Sequence, residues 1–307
     1  VGFKGITLNT RIDNNSGASL MKQLYHDLED LTGEQLIGLR NATGGCVSES
    51  YFMRTHEGNS YFIKVDNSQR GLLDSEAYGL ELLRQSESFR IPKVIRATKQ
   101  YLILEAIIHA RPKRDFWQKF GENLAKLHRF HGSQWGLDQD NFCGLTPQLN
   151  QFSGTSWADF FISNRLRPQL NWLEQKGLHS DLLHQQQERL LQHIHDQLSR
   201  IEEPNPSLLH GDLWSGNYLA SGHNEPVLID PAVYFGHREA EFSIMKLFGG
   251  FPDEMYQSYE RLYPFEEGHE HRLKIYTLYH LLNHANLFGE SYLTQGESCA
   301  LEILRGA

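Results

Sequence analysis

The chain of 307 residues has only three cysteines, Cys46, Cys143 and Cys299, far apart and odd in number. No Cys-x-x-Cys pair occurs, which argues against a zinc ribbon or a disulfide framework and fits a reducing compartment. Long apolar runs are missing too. The most apolar stretch, Tyr101 to Ile108, is broken by Glu105 and is far too short to span a bilayer. The amino-terminal residues show no compact apolar segment behind a basic start, so no secretory leader is expected, and the Asn-x-Thr at Asn41 reads as a chance match. Positive charge is in deficit: 29 Lys and Arg stand against 38 Asp and Glu, a net charge of −9. Neither nucleic acid nor an acidic membrane is therefore an expected partner. There is no internal repeat and no low-complexity block. These absences leave a globular protein, expected in the cytoplasm, with 39% hydrophobic and 11% aromatic residues to build its core.

What is there changes texture along the chain. Residues 1–18 are polar and read as a loose start. Ser19 then precedes Leu20, Leu24, Leu28 and Leu31, a helix-spaced set with Ser19 as its cap. Strands are expected over 35–41, 50–55, 61–65, 93–97 and 101–105, with a glycine turn over 43–48 between the first two. Residues 72–83 have helical spacing, with Asp74 and Glu76 near the start. Beyond about residue 111 helices dominate, over 115–130, 181–200, 236–248 and 273–288, around a compact non-helical stretch at 208–231. The expected organisation is a small antiparallel-sheet lobe, 1–107, and a larger mainly helical lobe, 108–307. Ligands commonly sit at such a junction.

The strongest motif is His210-Gly211-Asp212-Leu213-Trp214-Ser215-Gly216-Asn217, the H-x-D-L-x-x-x-N form of a kinase catalytic loop. Phosphoryl transfer needs a carboxylate to take the hydroxyl proton and aim the nucleophile, here Asp212, and oxygen ligands for Mg2+, here Asn217. Thirteen residues later an apolar strand ends in Asp230-Pro231-Ala232. That acid is expected as the second metal ligand, without the mobile Phe switch of Asp-Phe-Gly. Upstream, Lys64 ends an apolar strand and would place a point charge on nucleotide phosphates, with Glu76 as its ion-pair partner. Gly44, Gly45, Cys46, Val47 and Ser48 form a loop whose backbone N–H groups would cover the phosphates. Glu105 and Ala106 would offer backbone groups to an adenine edge. Taken singly, the glycine pair reads as a hairpin turn, Lys64 as a strand-edge charge, Glu76 as a solvated helix face and Asp230 as a turn residue. Their order along the chain makes them one ATP site.

These residues resemble the fructosamine kinase (ketosamine-3-kinase) family, close to aminoglycoside phosphotransferases and choline kinases. The resemblance rests on Gly44 to Glu49, on His210 to Asn217 with Trp214, on Asp230 to His237, on Phe248-Gly249-Gly250-Phe251 and on Tyr279 to Gly289. It spans about residues 20–290 and implies an α+β, protein-kinase-like two-lobed fold. It also implies ATP-dependent phosphorylation of the third-carbon hydroxyl of a ketosamine, small or protein-bound, followed by loss of the sugar and recovery of the amine. It assigns Asp212 as base, Asn217 and Asp230 as metal ligands, and Lys64 with Glu76 as nucleotide anchor. Trp214, His284 and Asn286 fall on the substrate side, where Ala285 stands in place of the family's Trp. The alternatives are a kinase for another small hydroxyl compound, such as an aminoglycoside or choline, and a non-catalytic nucleotide-binding scaffold.

Weaker features have plain readings beside functional ones. Cys46 is a small turn residue, or a redox-sensitive thiol that links two chains into a homodimer where the chain is otherwise a monomer. His280 and His284, four apart on a helix, suit packing or substrate contact better than a metal. His269 and His271 need no role. Arg165 and Arg167 are solvated, or they meet a substrate carboxylate or phosphate.

Overall fold

The computed structural model describes residues 15–42, 49–68, 70–201 and 205–306, with side chains from residue 22 onward. The loop residues Gly44, Gly45, Cys46, Val47 and Ser48 lie outside them. The chain divides into two compact units, Val1–Ala77 with Pro92–Ile107, and Tyr78–Ile91 with Ile108–Ala307.

In the first unit, α1 (Asn15–Thr32) precedes five antiparallel strands: β1 (Leu36–Asn41), β2 (Glu49–Thr55), β3 (Ser60–Val65), β4 (Val94–Ala97) and β5 (Tyr101–Glu105), in sheet order β1-β2-β3-β5-β4. Because α1 starts at Asn15, Ser19 is inside the helix and does not cap it, and residues 15–18 are helical instead of loose. Strand alternation divides the sheet into two faces. Met53, Ile63, Val65, Tyr101 and Ile103 pack with Leu24 and Leu28 of α1. The same parity turns Lys64 to the opposite face. The helix α2 (Leu72–Gln85) begins in this unit, with Asp74 in its first turn, where the helix dipole favours an acid.

The second unit is mainly helical. It holds α3 (Phe116–His128), a hairpin of β6 (Asn141–Cys143) and β7 (Thr146–Gln148), then α4 (Trp157–Phe160), which runs through a π-helical turn (Phe161–Leu166) into α5 (Arg167–Gln175). After α6 (Asp181–Leu198) come four three-residue strands: β8 (Ser207–Leu209), β9 (Tyr218–Ala220), β10 (Pro226–Leu228) and β11 (Tyr234–Gly236). Helices α7 (Glu239–Phe248), α8 (Asp253–Leu262), α9 (His269–Phe288) and α10 (Glu290–Arg305) complete it. Serine caps fix two starts, Ser156 accepting from the Asp159 N–H and Ser180 from the Leu183 N–H.

The helices over 253–262 and 290–305 are not anticipated by the sequence pattern, and of 157–175 only a helical segment around Arg165 and Arg167 is. Helix α8 buries Met255, Ser258 and Tyr259 on one face. Pro168 looks like a breaker but sits where the π-helical turn passes into α5. Among the described residues no helix is long and apolar enough to cross a membrane.

Candidate active site

Two loops lie side by side because their flanking strands pair. Strands β8 and β11 pair antiparallel, as do β9 and β10. The loop 210–217 runs from β8 to β9, and the loop 229–233 runs from β10 to β11. Thirteen residues of sequence separation thereby become contact. The Ala232 N–H donates to the His210 carbonyl at 2.9 Å, and the Ile229 N–H to the Asn217 carbonyl at 3.1 Å. Side chains of the β6–β7 hairpin brace the second loop from behind: Asn141 Nδ2 donates to the Val233 carbonyl and Gln148 Nε2 to the Ala232 carbonyl.

At the centre, Asn217 is buried and its Nδ2 donates to the Asp212 carbonyl at 2.8 Å and to Asp212 Oδ2 at 3.1 Å. The same Nδ2 lies 3.5 Å from the Asp230 carbonyl. With Nδ2 so engaged, Oδ1 is the amide's atom for a cation. Burial pushes the Asp212 carboxyl up to about 8, and the charge of Asp230 pushes the same way, against the Asn217 hydrogen bond. Asp230 has φ 55°, a left-handed conformation that a non-glycine residue rarely holds without cause. Asp212, Asn217 and Asp230 together offer hard oxygen donors, the set that Mg2+ prefers. Among the described residues no group of three or more His, Cys, Asp and Glu could hold a metal, so the amide is needed to make up this set.

The loop carrying Asp212 is held from below by a carboxylate that the sequence reading misses. Glu241 of α7 is buried, and it accepts from the His210 N–H at 2.5 Å and the Gly211 N–H at 3.1 Å. Its only signal is its place beside Glu239 in the first turn of α7, just before the apolar run Phe242-Ser243-Ile244-Met245. Gly211 has φ +81°, and a Cβ there would meet the Ala232 carbonyl oxygen at 2.0 Å, so only glycine fits. The His210 Nε2–H donates to the Ile229 carbonyl at 2.9 Å, and Nδ1 accepts from the Asp212 N–H at 3.3 Å. Burial lowers its pKa. His210 is thus a neutral clamp between the two loops. Gly250, with φ +93°, would carry a Cβ 2.4 Å from that of Ser215, which brings the Phe248 to Phe251 segment against the loop.

In the sheet unit, Lys64 Nζ donates to both carboxylate oxygens of Glu76, at 2.8 and 2.9 Å. The two side chains are 8% and 13% exposed, so the pair is nearly dry. The Glu105 N–H is taken by the Lys93 carbonyl and the Ala106 N–H by the Ser60 carbonyl. Neither donor is spare for an adenine edge.

On the substrate side, Trp214 is 37% exposed and its six-membered ring lies over Gly216. Its ring centroid is 6.5 Å from that of Phe248, which lies 4.7 Å from that of His284. Asn286 is on another face of α9. It is buried and donates to the Gln169 carbonyl, to Gln169 Oε1 and to the Leu282 carbonyl. Residues two apart on a helix point to nearly opposite sides, so the structure joins Trp214 to His284 and leaves Asn286 in packing. Ala285 is buried. Arg165 is fully buried, its guanidinium 4.2 Å from the Tyr234 ring centroid and bonded to Asn150 Oδ1 at 2.7 Å. It is neither solvated nor open to a ligand. Arg167 pairs at the surface with Glu188.

Known proteins match this architecture. The profile of the fructosamine kinase family covers residues 20–305. A Synechocystis sp. protein named as a ketoamine kinase is 38% identical over 273 residues, 87% of this chain and 90% of that protein. A chloroplastic protein-ribulosamine 3-kinase of Arabidopsis thaliana is 34% identical over 279 residues, 88% of this chain and 84% of its own. Among solved structures, a Haemophilus somnus 129PT protein named as a fructosamine-3-kinase superposes with a TM-score of 0.81 at 31% identity, covering 92% of this chain and 97% of that one. The aminoglycoside phosphotransferase APH(4)-Ia, at 17% identity and a TM-score of 0.65 over 95% of this chain and 99% of its own, shares the fold. These matches run along nearly the whole length of the chain in sequence and in structure, and the chain belongs to the fructosamine kinase family.

Proposed function

We propose that this kinase transfers the γ-phosphoryl group of ATP to the third-carbon hydroxyl of a ketoamine, an Amadori adduct of a sugar with an amine. The single observation that carries the reading is the constellation of Asp212, Asn217 and Asp230 on two hydrogen-bonded loops in a chain of this family.

Asp212 accepts the proton of the attacking hydroxyl as the O–P bond forms, and ADP leaves with the electron pair of the broken bond. Asn217 orients Asp212 through its Nδ2. Asn217 Oδ1 and the Asp230 carboxylate would hold Mg2+, which neutralises phosphate charge when bound. A raised carboxyl beside a second acid suits such a cation, because positive charge returns Asp212 to its ionised form. Lys64, fixed by Glu76, would supply a point charge to the nucleotide. Trp214 would lie beside the sugar. The product carries phosphate on the carbon next to the ketone, where elimination frees the amine, so the reaction serves deglycation. A cytoplasmic setting suits an ATP-using protein with free thiols.

ADP release with Mg2+ on a panel of ribulosamine, fructosamine, choline and kanamycin tests the reading. Turnover of one or both ketoamines well above choline and kanamycin is expected. Preference for choline or kanamycin would replace it with another small-molecule kinase activity, and no ADP release with any of the four would favour a nucleotide-binding scaffold.

A further inference from the structure

The rings beside the catalytic loop do not stop at His284. The His284 ring centroid lies 5.6 Å from that of Phe288 and 5.1 Å from that of Tyr292, and those two are 6.0 Å apart. Phe288 is four residues beyond His284, on the same face of α9. Tyr292 comes from the first turn of α10, after Gly289 turns the chain with φ 92°. A continuous strip of aromatic faces therefore runs from Trp214, two residues after the base, through Phe248 and His284 to Phe288 and Tyr292.

Packing alone does not account for the outer end of the strip. Phe288 is 64% exposed, so it contributes little to the core, while the inward side of α9 is filled by Leu281, Leu282 and Ala285. An aromatic ring left in water at the end of a path from the catalytic loop is suited to a ligand. The chemistry of the ligand follows from the reaction. With the sugar hydroxyl at Asp212 and the sugar beside Trp214, the remaining part of a ketoamine is its amine and what the amine carries. That nitrogen is a secondary amine, cationic when protonated, and aromatic faces attract such a charge. His284 does not oppose it: Nδ1–H donates to the His280 carbonyl at 2.8 Å and burial lowers the ring's pKa, so the imidazole is neutral.

We infer that Phe288 and Tyr292 form a subsite for the amine-side substituent of the substrate, and that this subsite selects apolar, above all aromatic, substituents over short ones. The inference rests on the ketoamine reading and adds to it which amines the enzyme prefers. Phe288 and Tyr292 act on specificity and touch neither the hydroxyl nor the phosphate.

The test compares two ketoamines of one sugar, the methylamine and benzylamine adducts, in wild type, Phe288→Ala, Tyr292→Ala and Phe288→Tyr. Wild type is expected to show a higher kcat/KM for the benzylamine adduct. Each alanine variant should lower the benzylamine-to-methylamine ratio by about three- to tenfold, mainly through KM, as befits loss of one aromatic contact. Phe288→Tyr should keep the ratio. A wild type without preference, or alanine variants that lose activity on both adducts in equal proportion, would overturn the subsite while leaving the ketoamine reading intact. Absence of turnover on both adducts in wild type would overturn the two together.

Discussion

The two sets of site residues treat buried charge in opposite ways. In the sheet unit, Lys64 meets Glu76 through two bonds of 2.8 and 2.9 Å, so a cation is matched to an anion before any ligand arrives. In the helical unit, Asp212 is bonded to a neutral amide, and the nearby charge of Asp230 opposes its own. The first arrangement fixes a point charge. The second leaves a charge deficit that a cation would fill. Such a deficit is tolerated only where the surroundings hold the acids in place. Here Glu241, His210 and the β6–β7 hairpin tie down the backbone on both sides of it.

The largest expected effect comes from removing the acid at the deficit. Asp212→Asn should lower ketoamine turnover by about a thousandfold or more and change nucleotide affinity little. ADP release and nucleotide calorimetry measure the two quantities, and near-normal turnover would end the assignment of Asp212 as base. Breaking the matched pair should act on stability as well. Lys64→Met removes both Lys64 bonds from the nearly dry Glu76 carboxylate, which costs about 3 kcal/mol in urea unfolding. Lys64→Met combined with Glu76→Leu should regain much of that stability and none of the activity. A double variant as unstable as the single one would show that the pair is not the constraint.

The deficit should also appear as pH-dependent stability in metal-free protein. The folded-state pKa of Asp212, about 8, lies above the usual value of a carboxyl. Between the two values the folded state binds the proton that the unfolded chain has released, so stability falls as pH rises through this window. Asp212→Asn should therefore raise stability at pH 8 by about 3 kcal/mol, less than the whole shift implies because the side chain keeps some access to water, and the gain should vanish toward pH 4. A gain that is flat with pH would contradict the charge deficit. A smaller effect concerns His280, buried on α9 and lowered to about 3 by burial, with His284 and Arg165 acting in the same direction. Above the ordinary histidine pKa both states are neutral. Below it the unfolded chain takes a proton that the fold refuses, so stability falls with acid. His280→Gln should remove about 1–2 kcal/mol of that loss between pH 6.5 and pH 5, read from the midpoint of urea unfolding.

Much of this contrast is legible in the sequence. Strand alternation alone turns Lys64 away from the α1 face, and a helix begun after Gly71 brings Glu76 within its reach. The spacing of Asp212, Asn217 and Asp230 is informative because the loops joining them leave short, paired strands, so few arrangements of the backbone are open to them. Glu241 is not legible, since two acids in a first helical turn read as complements to the helix dipole until the two N–H partners of Glu241 are seen. Arg165 misleads for a related reason: arginine usually signals solvent, and its burial is explained by the rings of Phe160 and Tyr234 around it and by the hydrogen bonds it donates to Asn150 Oδ1 and the Leu149 carbonyl. Asn286 is assigned to the substrate side by the family resemblance at His284 to Asn286, and a two-residue step on a helix puts these two side chains on different faces.

The most direct test of the charge deficit is the titration of the Asp212 carboxyl itself by 13C NMR, in metal-free protein and again with Mg2+ and nucleotide. A midpoint near 8 without the cation, moving toward the ordinary carboxyl range when the cation is added, is the predicted result. A midpoint already in the ordinary range and indifferent to the cation would contradict it.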